Sequence, residues 1–186
     1  MLASCDKTHR HDQLVHLWKF ADDADRRARW AAVYANKGFV EGFAVRGGAA
    51  MAYWLLKSEP DDWSWAEQVA KGRLGAEWTG IRNFSAQNHL RSMKKGEQAF
   101  FYHTGKERAI VGIVKVIAEA HPDSTDPAWR AIDVAAVEPL PTPVGLDRIK
   151  ADKRFAGMAL VRLPRLSVQP VTDAEWRLIC HMGGRG

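Results

Sequence analysis

Residues 53–60 read Tyr-Trp-Leu-Leu-Lys-Ser-Glu-Pro, and Trp78-Thr-Gly-Ile-Arg-Asn83 follows after residues 61–77. The first segment is apolar, ends in Lys57, Ser58 and Glu59, and is stopped by Pro60. The second sets a Trp beside Gly80, Arg82 and Asn83, just ahead of a predicted helix. An ammonium, a hydroxyl, a carboxylate, a guanidinium and an amide around one indole can form a small pocket with an aromatic wall and several hydrogen-bonding groups. Tyr102, His103 and Thr104 end another predicted strand and can approach Lys57–Glu59 if the strands form a closed barrel. No proteolytic triad, phosphate loop or metal cluster competes with this set in the sequence.

The elements that must position these groups can be read from residue 51 onward. A strand is predicted over Ala52–Ser58. Asp61 or Asp62 can cap a short helix over Trp63–Ala70, which Gly72 and Gly75 end. Trp78–Arg82 reads as a loop. Asn83 or Ser85 can cap a second helix running to Met93, closed by Lys94-Lys95-Gly96. Strands follow over Gln98–His103, Ala109–Glu119 and Trp129–Glu138. Pro139, Pro141 and Pro143 mark an extended crossing. Short helical turns are read at Leu146–Lys150 and Arg154–Phe155, and a short strand at Leu166–Val168. Thr172 caps a final helix, Asp173–Cys180. The expectation is an α+β domain built round a small β-barrel with flanking helices.

Residues 1–50 have a different character. Residues 12–35 have the spacing of a marginal amphipathic helix, interrupted by the charge run Asp22–Arg27, and residues 38–50 are rich in Gly and Ala. Family-like sequence begins abruptly at Met51. The expectation is an N-terminal extension over 1–50, either an upstream translation or a loosely attached helix, and one domain over 51–183.

Composition narrows the function classes. The chain has 186 residues, 46% of them hydrophobic, which suits one domain with a real core. Eight Trp residues are mostly explained as core. The net charge is +5, of which residues 51–186 carry 19 basic against 16 acidic side chains. Such a mild excess permits a polyanion partner without proving one. Cys5 and Cys180 cannot build a disulfide scaffold, no Cys/His spacing resembles a zinc site, and no apolar run approaches a membrane span. The expected compartment is the cytoplasm, or the nucleus in a eukaryote, with no metal and no cofactor.

From Ala52 to about Met182 the chain resembles the EVE domain family, a thymocyte nuclear protein-like, PUA-like group. The resemblance rests on Tyr53–Pro60, Trp78–Arg91, Phe101–Thr104, Ile110–Val114, Glu119–Asp123 and Arg165–Thr172, which come in the family order. Thr104 stands where the family often has Ser; both carry a hydroxyl. The resemblance implies a PUA-like barrel, similar to YTH domains that hold a methylated adenine in an aromatic cage. It implies reading of modified bases in DNA, chiefly modified cytosines, and also of RNA. A companion nuclease and a monomeric state are expected with it.

Under that reading Trp78 is the stacking wall, since base–aromatic stacking is worth about 1–3 kcal/mol per base. The alternative is a core Trp beneath a loop. Ser58 suits a base edge, Glu59 an exocyclic amine such as cytosine N4, and Lys57 a phosphate. These three could equally be an exposed strand end with a Glu–Lys pair. Arg82 and Asn83 suit a base edge or a phosphate, and Asn83 can also be a plain helix cap. His103 is either a base contact or a satisfied structural His. Gly80, Ile81, Tyr102 and Thr104 complete the set, and the family-like Arg165 and Ser167 border it. Phe100 and Phe101 read as core. Arg91, Lys94 and Lys95 read as a solvated helix end able to meet phosphate.

Three function classes follow. The first is a non-catalytic reader of a modified base. The second is a general RNA-binding accessory domain, for which a basic aromatic groove would suffice. The third is an ASCH-like nuclease or hydrolase using Lys57, Glu59 and His103 as acid–base groups, against which stands the lack of a nucleophile–base pair.

Overall fold

The computed structural model describes residues 51–185, so the helix read over 12–35 lies outside the described residues. The elements are β1 (Tyr53–Ser58), α1 (Trp65–Ala70), β2 (Ala76–Trp78), α2 (Phe84–Ser92), β3 (Gln98–His103), β4 (Ala109–Asp123), β5 (Asp126–Gly145), α3 (Leu146–Ala151), α4 (Ala159–Arg162), β6 (Val168–Val171) and α5 (Asp173–Met182). Single turns of 3-10 helix stand at Gly72–Leu74 and Lys153–Phe155.

The strands form one six-stranded sheet in the order β2-β5-β4-β3-β1-β6. Only β1 and β3 are parallel; β1–β6, β3–β4, β4–β5 and β5–β2 are antiparallel. The fold is therefore α+β as expected, but among the described residues strand pairing does not close the expected barrel: β2 and β6 stand at the edges. Repeated register shifts along β4–β5 bend the long hairpin.

Alternation along the strands feeds two cores on opposite faces. One face buries Trp54, Leu56, Phe101, Val114 and Ile132 against Trp65 of α1 and Leu90 of α2. The other buries Leu55, Phe100, Ile110 and Ile113 against Ile149 of α3 and Trp176 and Ile179 of α5. Trp176 stacks on Phe100 at 4.0 Å and on Tyr53 at 4.2 Å, pinning the last helix under β1 and β3.

Several local readings need correction. Ser64, not Asp61 or Asp62, caps α1: its hydroxyl accepts from Glu67 N and the Glu67 carboxylate accepts from Ser64 N. The Asp pair sits in a turn whose amides, Asp62 N and Trp63 N, both donate to the Glu59 carbonyl. Trp78 ends the short strand β2 rather than opening a loop. The strand read at Leu166–Val168 lies at Val168–Val171, because register with β1 runs Leu56↔Val168 to Tyr53↔Val171. Pro139, Pro141 and Pro143 lie within β5 itself. β2 pairs only with Ile132–Val134, so this half of β5 has a β4 neighbour on one side only. Between Gly112↔Pro139 and Ile110↔Val144 the β4–β5 register skips residues 140–143, and Thr142 N donates instead to the Gly183 carbonyl at 3.0 Å, so Pro141 and Pro143 sit in an irregular stretch that asks no ladder N–H of them.

Candidate functional site

The parallel pairing of β1 with β3 aligns their C-terminal ends, matching Lys57 with Tyr102 and Ser58 with His103. Thr104 N donates to the Ser58 carbonyl at 2.8 Å and holds the chains together just past both strands. Alternation then sorts the predicted residues by face. Ser58 and His103 point to the side of Phe101, Trp65 and Trp78. Lys57 and Tyr102 point to the other.

On the first side the groups are tightly interlocked. The Ser58 hydroxyl donates to the Trp63 carbonyl at 2.6 Å. Trp65 N donates to His103 Nε2 at 3.0 Å, so the ring proton sits on Nδ1, which donates to Glu107 at 2.6 Å. Both ring nitrogens of the buried His103 are thus engaged by the protein itself. The exposed Glu59 carboxylate accepts from the Thr104 hydroxyl. Gly105, at φ 63°, lies so close that a Cβ there would collide with the Glu59 carboxylate.

Trp78 is only 6% exposed and packs edge-on against Phe101 at 5.3 Å, the same ring that meets Trp65 at 5.3 Å and His103 at 5.5 Å. The indole expected as an open stacking wall is instead part of the apolar floor. Its burial follows from ending β2 with its partner Ile132 fully buried beside it. A Cβ on Gly112 would come within 2.5 Å of the Trp65 ring, so that glycine lets the floor close up. Trp65 Nε1 is buried and has no hydrogen-bond partner among the described residues.

The loop Thr79–Asn83 follows Trp78 directly and is anchored by side-chain bonds. Gly80, exposed at φ 78°, and Ile81, 7% exposed, lie in it. Asp123, fully buried at the end of β4, accepts from Gly80 N at 3.0 Å and from Arg82 at 2.8 Å through one oxygen. Its other oxygen accepts from Thr125 N at 2.8 Å and the Thr125 hydroxyl at 2.6 Å. Burial pushes the Asp123 carboxyl upward, but the bonds from Arg82, Thr125 and Gly80 outweigh it and hold the group well below the usual carboxylate range. Arg82, expected to meet a base or phosphate, therefore spends one nitrogen on Asp123 and another on Thr125 Oγ1 at 2.9 Å. Buried Gln87 donates to the carbonyls of Ile81 and Arg130, both at 2.9 Å, and fastens loop, α2 and β5 together. Asn83 is the α2 cap, its amide oxygen accepting from Ala86 N at 3.0 Å. The cap leaves the NH2 of this exposed side chain outside the bond.

Across the strand ends, Lys57 donates to the Pro164 carbonyl at 2.8 Å and lies 5.7 Å from the Tyr102 ring centroid. Burial lowers its pKa from 10.5 to about 8, and burial raises that of Tyr102. Ser167 accepts from Lys57 N at 2.9 Å through its carbonyl, and Arg165 is exposed on the same segment. The structure thus gathers Ser58, Glu59, His103 and Thr104 beside the floor that carries Trp78. It puts Lys57, Tyr102, Arg165 and Ser167 at a separate corner.

Sequence reasoning gave no role to Asp123, Gln87 or Glu107, which hold the site in shape. Asp123-Ser-Thr125 carried one usable signal, since an Asp two residues before a Thr favours a local turn closed by its own side chain. Among the described residues, no three His, Cys, Asp or Glu side chains are placed to hold a metal ion. A groove of about 450 Å³ lies elsewhere, lined by Leu74, Glu77, His121, Ser124 and Asp133. Burial lowers the pKa of His121 there; the Pro122 carbonyl, Asp133 and Glu77 outweigh this and raise it. Two carboxylates make that groove a poor seat for a polyanion.

Comparison with known proteins gives the family. A family model described as the EVE domain matches residues 52–182. Thymocyte nuclear protein 1 of Gallus gallus is 37% identical over 164 residues, covering 70% of this chain and 68% of its own length. A solved structure from Rhodopseudomonas palustris is 53% identical with TM-score 0.69, covering 72% of this chain and 94% of its own. The human THYN1 protein, solved in complex with 5-methylcytosine containing DNA, is 30% identical with TM-score 0.66, covering 73% of this chain and 99% of its own. A match spanning nearly all the described residues, in the order in which they build the site, means that this chain belongs to the EVE domain family.

Proposed function

We propose that the domain spanning 51–183 binds nucleic acid without turnover and reads a modified base, chiefly a modified cytosine in DNA. The observation that carries this reading is the relative solved with 5-methylcytosine containing DNA, whose fold matches across 73% of this chain. The local chemistry supports it. Glu59 and Thr104 offer an acceptor and a hydroxyl at adjoining strand ends, suited to the 4-amino group and edge of a cytosine. Asn83 and the exposed Gly80 backbone add further polar groups on a loop fixed by Asp123. Trp78 and Ile81, 6% and 7% exposed over the buried Phe101, leave a narrow apolar edge against which a 5-substituent can pack. Ser58 and His103 act through the scaffold, because their polar atoms are already engaged. The saturated His103 is also why acid–base catalysis is not part of this reading.

The test is a titration panel of one oligonucleotide carrying plain, methylated, hydroxymethylated, formylated or carboxylated cytosine, or methyladenine, in DNA and RNA versions. Binding should be tightest for one modified cytosine, and Glu59→Gln should weaken every cytosine form. Equal binding of all forms would favour a general nucleic-acid binder instead.

A further inference from the structure

Phe84 is 78% exposed, although it is the first residue of α2 and directly follows the Asn83 cap. Its ring lies 5.4 Å from that of the half-exposed Trp129 on β5, tilted by 46°. The Arg82 guanidinium lies 5.7 Å from the centroid of the same Trp129 ring. An exposed aromatic pair edged by a cation is therefore built immediately beside the Thr79–Asn83 loop.

This surface is rigid. Arg82 is held by Asp123 and Thr125, and Gln87 bonds to both N and carbonyl of Arg130, the residue after Trp129. Its surroundings are polar. Asn88 and Arg91 fall four and seven places after Phe84, on the same helix face, and both are exposed. A protein partner of apolar character would meet these polar groups along the rim, whereas a polyanion with flat π-faces would find complementary charge. Phe84 and Trp129 serve neither core, so the folded state gains little from displaying them.

We propose that Phe84 and Trp129 form a stacking platform for an unpaired nucleobase neighbouring the one held at the strand ends. The inference rests on the nucleic-acid reading above. The base must be unpaired because a duplex hides base faces in its own stack. Arg82 faces the platform from the loop side and adds a cation–π contribution. Stacking of this kind is tolerant of sequence, since every base has a π-face. The platform therefore adds affinity, while choice of the modification stays with the strand ends.

The test uses the full chain, Phe84→Ala and Trp129→Ala, and fluorescence anisotropy with single-stranded DNA and RNA oligonucleotides. Each oligonucleotide carries central cytosine or 5-methylcytosine, with intact or abasic neighbours. Each variant should weaken binding of intact oligonucleotides about 5- to 150-fold. The ratio between methylated and plain forms should stay as in the wild type. With abasic neighbours the variants and the wild type should bind alike. Phe84 is so exposed that its removal leaves the fold intact, and it decides the matter if Trp129→Ala melts early. Wild-type affinity in both variants, or a changed methyl ratio, would overturn the platform. A wild type with equal affinity for both forms but weakened variants would remove the modified-base reading and leave the platform standing. A wild type that binds no oligonucleotide would overturn both.

Discussion

Asp123→Asn is the perturbation that tests how the site is held. The substitution keeps the shape but puts an NH2 where an oxygen now accepts. One carboxylate oxygen faces Gly80 N and an Arg82 nitrogen; the other faces Thr125 N and the Thr125 hydroxyl. Either orientation of the amide sets its NH2 against at least one backbone N–H. The Thr125 bonds are local and persist partly in the unfolded chain. The Gly80 and Arg82 bonds join residues far apart in sequence. Hydrogen bonds to a charged group are worth about 1.5–3 kcal/mol each, so two of them come to roughly 3–6 kcal/mol. Arg82 has 37% of its side chain exposed and Gly80 is exposed, so water recovers part of this. A loss of roughly 2–4 kcal/mol is expected at neutral pH. The assay is urea unfolding followed by Trp fluorescence, at pH 7 and at pH 3. In the folded state the Asp123 carboxyl is held below its unfolded value, so its contribution is present above about pH 3.9 and fades as pH falls below it. The gap between wild type and variant should therefore narrow at pH 3 without closing. A loss below about 1 kcal/mol at pH 7, or a gap that does not narrow at pH 3, would refute the view that Asp123 anchors the loop.

Other consequences are equally open to measurement. Trp78→Ala should lower stability by about 3–5 kcal/mol, as for a buried indole, and a melt near the wild-type midpoint would return Trp78 to an open wall. Lys57 has a folded pKa of about 8 against an ordinary 10.5, so the unfolded chain binds more protons between those values and stability should rise with pH across that window. Lys57→Met should remove that rise; parallel pH profiles in denaturant titrations would argue against a buried ammonium. A chain starting at Met51 should melt cooperatively near the full-length midpoint, and a deficit above about 3 kcal/mol would make residues 1–50 integral to the fold.

Much of this architecture was legible because short-range signals and tertiary packing agree. The span of β3 and the Asn83 and Thr172 caps stand where the residue types put them. The convergence of the β1 and β3 ends was also readable, although it comes from parallel pairing and not from a closed barrel. What was hidden is set by long-range contacts. Trp78 reads as a loop aromatic until β5 pairs with β2 and Phe101 comes to lie beneath it. Arg82 reads as a free donor until Asp123, distant in the chain, claims it. The separation of Lys57 from Ser58, by contrast, was legible, because alternation along a strand alone sends them to opposite faces. The proline-marked crossing proved to be part of β5, because the ladder with β4 skips residues 140–143 and so Pro141 and Pro143 break no ladder bond.

The central claim is that the strand-end site reads a modified cytosine without altering it. The most direct measurement is calorimetric titration of the full chain with two DNA oligonucleotides that differ only by one 5-methyl group, followed by mass analysis of the recovered DNA. Packing a methyl against the apolar edge of Trp78 and Ile81 is worth about 0.8 kcal/mol, so the methylated form should bind about fourfold tighter and be recovered unchanged. Equal affinities, tighter binding of the plain form, or a change in mass would contradict the account.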